Sequence, residues 1–255
     1  MTSLNRWRRA ALALGLLVAC AGAHAQDLIV YCAGAVKPAL SVLAPTWAAR
    51  GGPRLVVTYA SAGELRARLA AGEHPDIVIL PVEGLAALEQ AGVTVAATRR
   101  DLGAVGIGVA VRDGAPLPDV SSEAGVKRAL LDARSLTFMD PARGTSGKHL
   151  DEVVLPRLGI RDAVRAKTVL GEGGMIAEKV ARGEVELALQ QMTELLPVQG
   201  IRIAGPLPAS LQKVTVYTAA VTTATHSAPA AARLLAFLVS DEARGVFAAK
   251  GFGAP

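Results

Sequence analysis

The chain alternates between short apolar runs and stretches with helical spacing, and this alternation constrains its fold more than any other feature. Residues 28–32, 55–59 and 76–80 are largely apolar, which is typical of strands buried on both faces. Leu40 and Leu43 follow the first run at helical spacing. Strands that alternate with helices pair in parallel, because each helix carries the chain back along the sheet. We therefore predict an α/β fold with mostly parallel sheets flanked by helices.

The same alternation continues through the second half of the sequence. Residues 105–111, 136–139, 187–191 and 214–221 are predicted strands, and residues 230–250 are predicted to be mostly helical. The sequence contains neither an internal repeat of fixed period nor a low-complexity linker. If there are two domains, we expect strands rather than a flexible tether to join them.

Residues 1–25 have the pattern of an export signal. A basic region with three arginines precedes the apolar residues 10–20, and a small-x-small cleavage site ends at Ala25. The apolar stretch is too short to cross a bilayer, which requires about 20 residues. We therefore predict export to the periplasm. An alternative is a lipoprotein signal in which Cys20 is the lipidated residue.

Composition and charge exclude several classes of protein. With 51% hydrophobic and 19% charged residues, the chain is not a disordered polar polymer. The net charge of +5 falls to +2 without Arg6, Arg8 and Arg9 of the predicted signal. No basic block alternates with aromatic residues, so we expect no nucleic-acid partner. Cleavage at Ala25 would leave Cys32 as a single cysteine, which we predict to be buried and inert.

Small residues occur at four places where a predicted strand passes into a helix. A helix start has unpaired N–H groups and a partial positive charge, and small residues let a ligand approach the backbone. Ligands of open α/β sheets bind at the carboxyl ends of the strands. We therefore predict an anion site built from some of these four places, which are Gly34-Ala35, Ser61-Ala62-Gly63, Gly144-Thr145-Ser146-Gly147 and Gly173-Gly174 before a helix over 175–182.

The stretch from Arg143 to Gly147 is the most informative of these places. Arg143 offers a guanidinium, Thr145 and Ser146 offer hydroxyls, and the backbone adds several N–H donors. A nucleotide-binding phosphate loop needs four residues between its glycines, whereas here only two separate Gly144 from Gly147. The sequence therefore predicts anion binding here without nucleotide hydrolysis.

Patterns of known catalytic and metal sites are missing from the sequence. No histidine has the HExxH spacing of a zinc site, and no serine lies in a G-x-S-x-G turn. We therefore predict no enzyme activity, no catalytic residue, no metal ligand and no cofactor. An exported hydrolase that uses Ser146 with His149 is a further alternative, although we expect His149 to be solvated. We expect Asp151 and Glu152 to lie in solvent on different helix faces.

The order of several motifs resembles the periplasmic molybdate-binding proteins of ABC importers, within the type II solute-binding class. The resemblance covers essentially the whole chain after residue 25. It rests on residues 31–40, on Tyr59-Ala60-Ser61-Ala62-Gly63-Glu64-Leu65, on residues 71–78, on Asp140-Pro141, and on Phe237-Leu238-Val239-Ser240 with residues 247–252.

The resemblance implies a two-lobed fold, with a mostly parallel sheet in each lobe and two crossing strands between the lobes. It places residues 26–106 and 213–255 in lobe 1 and residues 107–212 in lobe 2. It implies a small oxyanion of the molybdate or tungstate class as ligand, held in the cleft between the lobes. It also implies an inner-membrane ABC permease as partner, and we expect the protein to be a monomer.

The resemblance also implies which positions bind the ligand. Ala35 and Ala62 lie where the family has serines, and Gln191 lies near the position of a family tyrosine, so backbone amides would replace hydroxyls there. Arg143 is an added charge that suits a planar carboxylate, and the alternative ligand is therefore a small organic carboxylate. The predicted ligand-binding residues are Gly34, Ala35, Ser61, Ala62, Arg143, Thr145, Ser146, Gly173, Gly174 and Gln191.

Overall fold

The computed structural model describes residues 26–255. The predicted signal over residues 1–25 and the alternative lipid anchor at Cys20 lie outside the described residues. Within residues 26–255, every helix is too short or too polar to span a membrane.

Within residues 26–255, ten strands form two five-stranded sheets. The first sheet has the order β2-β1-β3-β10-β4, and the second has the order β7-β6-β8-β5-β9. We call the unit around the first sheet lobe 1 and the unit around the second sheet lobe 2. The strands are β1 (Leu28–Ala33), β2 (Leu55–Ala60), β3 (Ile77–Pro81), β4 (Arg100–Val105), β5 (Ile107–Arg112), β6 (Leu136–Met139), β7 (Thr168–Gly171), β8 (Leu187–Gln191), β9 (Ile201–Pro206) and β10 (Thr215–Val221).

The two sheets repeat one arrangement. In the first, β1 pairs in parallel with β2 and β3, and β10 runs antiparallel between β3 and β4. In the second, β6 pairs in parallel with β7 and β8, and β5 runs antiparallel between β8 and β9. The predicted fold class, two lobes of mostly parallel strands flanked by helices, is confirmed.

Helices cover both sheets, and several start at serine caps. The hydroxyl oxygens of Ser61, Ser122 and Ser240 each accept a hydrogen bond from an amide of the first helical turn. The helices are α1 (Lys37–Ala49), α2 (Ala62–Ala70), α3 (Val82–Gln90), α4 (Glu123–Asp132), α5 (Thr145–His149), α6 (Leu155–Leu158), α7 (Arg161–Arg165), α8 (Glu178–Ala181), α9 (Met192–Leu195), α10 (Ala228–Leu238) and α11 (Asp241–Ala249), with a π-helical turn Leu150–Val154 joining α5 to α6 and 3-10 turns at Gly34–Val36 and Ala96–Thr98.

Each lobe has its own hydrophobic core. In lobe 1, Leu28, Val30 and Ile77 are completely buried. In lobe 2, Leu136 and Phe138 are buried in the same way. These strands are apolar on both faces because helices pack on either side of each sheet, which is why their sequences lack polar alternation.

The chain passes from lobe 1 to lobe 2 at Gly106, which corrects the prediction of one strand over residues 105–111. The apolar run is split between β4 of the first sheet and β5 of the second. Gln212, on the return segment between β9 and β10, accepts a 2.7 Å hydrogen bond from the Ile107 amide and donates a 2.9 Å bond to the Ile107 carbonyl. A Cβ on Gly106 would lie 3.0 Å from Gln212 Nε2, so the two crossing segments pack tightly here.

Two predicted helices have different bounds in the structure. The helical stretch over residues 230–250 is two helices, because Ser240 interrupts it and caps α11. The helix predicted from residue 175 begins only at Glu178. The Gln190 side chain accepts a hydrogen bond from the Ala177 amide and donates one to the Gly174 carbonyl, which holds the residues before α8 in a turn.

Candidate functional site

A small cavity lies between the two lobes, at the carboxyl ends of the central strands. Its volume is about 40 Å³, enough for a group of a few heavy atoms such as one carboxylate or one compact oxyanion. Both lobes contribute to its wall. The lining residues are Ala33, Gly34, Ala35, Ser61, Ala62, Pro81, Met139, Gly144, Thr145, Ser146, Gln191, Glu194 and Tyr217.

Three of the residues that line this cavity lie at the starts of helical turns. Ala35 lies in the 3-10 turn that follows β1, Ala62 begins α2, and Thr145 begins α5. The first amides of a helix have no carbonyl partner within it, so they are the donors available to an anion. Seven of the ten predicted ligand-binding residues line this cavity, whereas Arg143, Gly173 and Gly174 do not. The seven are Gly34, Ala35, Ser61, Ala62, Thr145, Ser146 and Gln191.

A larger cavity of about 390 Å³ opens directly beside the small one. The two cavities share Ala62, Pro81, Gly144 and Thr145 in their walls, so they are adjacent parts of the cleft between the lobes. The larger volume falls in the range of sites for small organic ligands. Its charged and titratable lining residues are Arg66, Glu83, Arg143, Lys148, His149, Glu152 and Lys213.

The larger cavity has an excess of positive charge. Lys213 pairs with Glu83 at 3.0 Å, and Lys148 lies 4.0 Å from Glu152. Within residues 26–255, neither Arg66 nor Arg143 forms an ion pair with a carboxylate, and the Arg143 side chain donates only to the Glu172 carbonyl, at 3.2 Å. These guanidinium groups are therefore available for an anionic ligand.

The lobes touch across this cleft through the main chain. The amide of Gly63, in the first turn of α2, donates a 3.1 Å hydrogen bond to the carbonyl of Arg143 in lobe 2. A Cβ on Gly63 would lie 3.0 Å from that oxygen and 3.1 Å from the Ala142 carbonyl. The two lobes are therefore in direct contact here, and a side chain at position 63 would require these carbonyls to shift by a few tenths of an ångström.

An acidic residue that the sequence analysis did not single out lies in the small cavity. Glu194, on α9, is only 7% exposed, and burial raises its pKa to about 8 against a smaller opposing contribution from Gln190. Beside it, Tyr217 donates a 2.5 Å hydrogen bond to Gln191 Oε1. Burial, and secondly the charge of Glu194, raise the pKa of Tyr217 well above its ordinary value.

Gly173 and Gly174 are placed differently from the other predicted residues. Both are exposed and line neither cavity. Gly174 has a φ of 71°, a left-handed conformation that favours glycine, so it serves the turn before α8. The prediction of a helix start directly after these glycines is wrong, and the structure does not bring them to the cleft wall.

The alternative hydrolase pair is not assembled. Nε2 of His149 lies 2.9 Å from the Leu211 carbonyl, so the ring is bonded to the return segment rather than solvated. In the described part of the chain, Ser146 and His149 share no hydrogen bond. His149 is therefore not placed as a base for Ser146.

Asp151 is buried, which corrects the expectation that it lies in solvent. Its carboxylate accepts hydrogen bonds from Arg161 at 2.6 Å and pairs with Arg165 at 3.0 Å. The pKa of Asp151 is lowered, chiefly by the hydrogen bond from Arg161. Burial opposes this shift, and the positive charges of Arg165 and Arg161 add to it. The two arginines come from α7, which the sequence pattern did not place beside Asp151. Glu152 is exposed, as expected.

Two further expectations concern cysteine and metal chemistry. Cys32 is completely buried, as predicted, and burial raises the pKa of its thiol. Among residues 26–255, no three histidine, cysteine, aspartate or glutamate side chains come together as a metal site.

Comparison with known proteins places the chain among binding proteins. Residues 28–253 match the family described as bacterial extracellular solute-binding protein. An aconitate isomerase from a Pseudomonas species is 33% identical over 242 residues, which cover 91% of each chain.

Solved structures share the fold at low identity. The periplasmic molybdate-binding protein of Azotobacter vinelandii has a TM-score of 0.76 at 19% identity, covering 89% of this chain and 99% of that one. The sulfate-binding protein of Mycobacterium tuberculosis H37Rv has a TM-score of 0.74 at 17% identity, covering 89% of this chain and 86% of that one. The two-lobed architecture, the shared cleft and the match along almost the whole sequence lead to one conclusion: the chain belongs to the family of bacterial extracellular solute-binding proteins.

Proposed function

We propose that the protein is the periplasmic substrate-binding component of an ABC importer and that it closes on a small organic polycarboxylate. The supporting observation is that the small cavity lies beside a larger one lined by Arg66 and Arg143, whose guanidinium groups have no carboxylate partner among residues 26–255. One carboxylate of the ligand occupies the small cavity, and further carboxylates pair with the arginines. The likeness to an aconitate isomerase supports the same ligand class, because aconitate is a tricarboxylate.

The binding residues follow from this arrangement. Amides at Ala35, Ala62 and Ser146, with the Gln191 side chain, bind the first carboxylate, and Arg143 with Arg66 binds the others. Gly173 and Gly174 are left out because they lie away from the cleft wall. Fixed donors in a cleft that closes around the ligand exclude water and favour ligands that can accept several hydrogen bonds.

We also propose boundaries for the two lobes and a membrane partner. Lobe 1 comprises residues 26–106 and 213–255, and lobe 2 comprises residues 107–212, because the chain changes sheets at Gly106 and again between β9 and β10. The protein acts as an exported monomer that delivers its ligand to an inner-membrane permease.

A compact oxyanion of the molybdate or tungstate class is the second candidate ligand. The supporting observation is the cavity of about 40 Å³ lined by the first residues of helices from both lobes, which by itself would hold a small anion. An oxyanion in that cavity would leave Arg66 and Arg143 without an anionic partner. For this reason we favour the polycarboxylate.

A thermal-shift panel tests the proposed ligand class. The panel compares trans-aconitate, citrate and tricarballylate with molybdate, tungstate, sulfate and phosphate. A ligand at a hundredfold excess over its Kd stabilises the folded protein by about 2.7 kcal/mol. We expect stabilisation by the tricarboxylates and none by the inorganic anions. Stabilisation by molybdate or tungstate alone would favour the second candidate.

A further inference from the structure

Glu194 is the one carboxyl group in the wall of the small cavity, and its ionised form has no role in anion binding. Its Oε1 lies 3.2 Å from the position that a Cβ on Gly34 would occupy, so it faces the turn that carries the Ala35 amide. It forms no ion pair with an arginine or lysine of the described residues. An ionised carboxylate here would repel an anionic ligand, so only the protonated form of Glu194 suits a site that merely binds.

The groups around Glu194 are neutral donors. Tyr217 donates to Gln191 Oε1, and the Gln191 side-chain nitrogen has no hydrogen-bond partner among residues 26–255 and lines the cavity. A ligand carboxylate in the cavity would therefore accept hydrogen bonds from Gln191 and from the backbone. Such donors stabilise the negative charge that develops on a carboxylate when the neighbouring carbon loses a proton.

We propose that Glu194 is a general acid–base residue that moves a proton on an unsaturated polycarboxylate bound in the cleft and thereby isomerises it. This inference rests on the proposed polycarboxylate binding. It adds a reaction to a site for which the sequence predicted no enzyme activity. Because the carboxyl is buried, both its protonated and its ionised forms are populated near neutral pH, as a group that both accepts and returns a proton requires.

The reaction balances without another reactant. The Glu194 carboxylate takes a proton from the methylene carbon beside the double bond, and the C–H electron pair becomes a new C=C bond. The electron pair of the old double bond then forms a C–H bond with the proton that Glu194 returns at the far carbon. The double bond has moved by one position, so its geometry can change, and Glu194 ends in its starting form.

Deuterium exchange tests this reaction. The purified protein is incubated with cis-aconitate or trans-aconitate in deuterated water and followed by proton NMR, while calorimetry measures binding separately. We expect the methylene and vinyl signals to decay and the two isomers to interconvert. Glu194→Gln should slow exchange at least ~100-fold, the scale of general acid–base catalysis, with Kd changed by less than about threefold.

Two further variants complete the design. Glu194→Asp keeps a carboxyl group but shortens its reach, so we expect slower exchange with binding retained, and this variant decides the question if Glu194→Gln does not fold. Glu242→Gln removes a carboxylate from an exposed site on α11, outside both cavities, and should exchange aconitate like the wild type.

The outcomes separate the two proposals. Wild-type protein that binds aconitate without exchange, or Glu194→Gln protein that exchanges at the wild-type rate, overturns the role of Glu194 and leaves the proposed ligand class standing. Wild-type protein that binds no tricarboxylate overturns the proposed ligand class, and the role of Glu194 with it.

Discussion

The amide of Gly63 in lobe 1 donates a 3.1 Å hydrogen bond to the carbonyl of Arg143 in lobe 2, so the main chain itself bridges the cleft. The same loop of lobe 2 presents the Arg143 side chain to the larger cavity. Closure of the lobes and placement of that guanidinium are therefore coupled through one residue.

Gly63→Ala should hold the lobes apart and weaken binding. The added Cβ would lie 3.0 Å from the Arg143 carbonyl oxygen, which is closer than such contacts normally are. We expect Kd for a tricarboxylate to rise about tenfold, or ~1.4 kcal/mol, and small-angle scattering to show a more open form. Unfolding stability should not fall, because alanine favours a helix over glycine. The control is Gly245→Ala, because nothing lies within 4 Å of a Cβ at that position. Equal affinities of the two variants for the tricarboxylate would contradict this role of Gly63.

Arg143→Ala and Arg66→Ala should each weaken tricarboxylate binding. Each removes a charge-assisted hydrogen bond worth about 1.5–3 kcal/mol, so we expect Kd to rise about 10- to 100-fold. Thermal shifts measured across ligand concentrations give these affinities. Arg202→Ala removes the same charge from an exposed position on β9 and should bind normally. Unchanged affinity in both cleft variants would mean that the arginines do not contact the ligand.

Glu194 should make the protein less stable as pH rises. Its pKa is about 8 in the folded state against an ordinary value of 4.5, so the folded state binds the proton more tightly than the unfolded state. The free energy of unfolding therefore falls as the pH rises from about 4.5 to about 8. Glu194→Gln should remove this loss, and at pH 8 we expect it to be more stable than the wild type by a few kcal/mol, on the order given by linkage. Denaturant unfolding at pH 5 and pH 8 measures the effect. Parallel pH dependence in both proteins would contradict it.

Asp151 should stabilise lobe 2 at neutral pH. Its pKa is lowered in the folded state, so its contribution is present above the unfolded pKa and is lost as pH falls through the folded pKa. Asp151→Asn should lower the free energy of unfolding at pH 7 by about 2 kcal/mol, because Arg161 and Arg165 lose their partner. Glu152→Gln, at the exposed neighbour, should change stability by less than about 0.5 kcal/mol. Equal denaturation midpoints for the two variants would argue against the buried ion pair.

More of the fold than of the binding site could be predicted from the sequence. Buried strands such as β1 and β3 are recognisable because helices cover both faces and no polar alternation remains. The split at Gly106 could not be predicted, because an apolar run does not reveal which sheet its two ends join. Small residues at strand ends predicted Ala35 and Ala62 as ligand-binding residues, because a site that binds through main-chain amides requires small side chains whatever the ligand.

Residues whose role depends on distant partners were missed. Arg66 lies on an exposed helix face and has no local pattern that separates it from a solvated charge. Glu194 directly precedes Leu195 and Leu196, and an acidic residue beside this apolar pair was the one available signal. Asp151 could not be distinguished from Glu152, because only the position of α7 brings Arg161 and Arg165 to it.

Isothermal titration calorimetry of the purified protein with trans-aconitate, and separately with molybdate, tests the central claim most directly. We predict one-to-one binding of trans-aconitate, lost in part on Arg143→Ala, and no heat of binding with molybdate. Binding of molybdate with no response to trans-aconitate, citrate or tricarballylate would contradict the claim that this cleft holds a polycarboxylate.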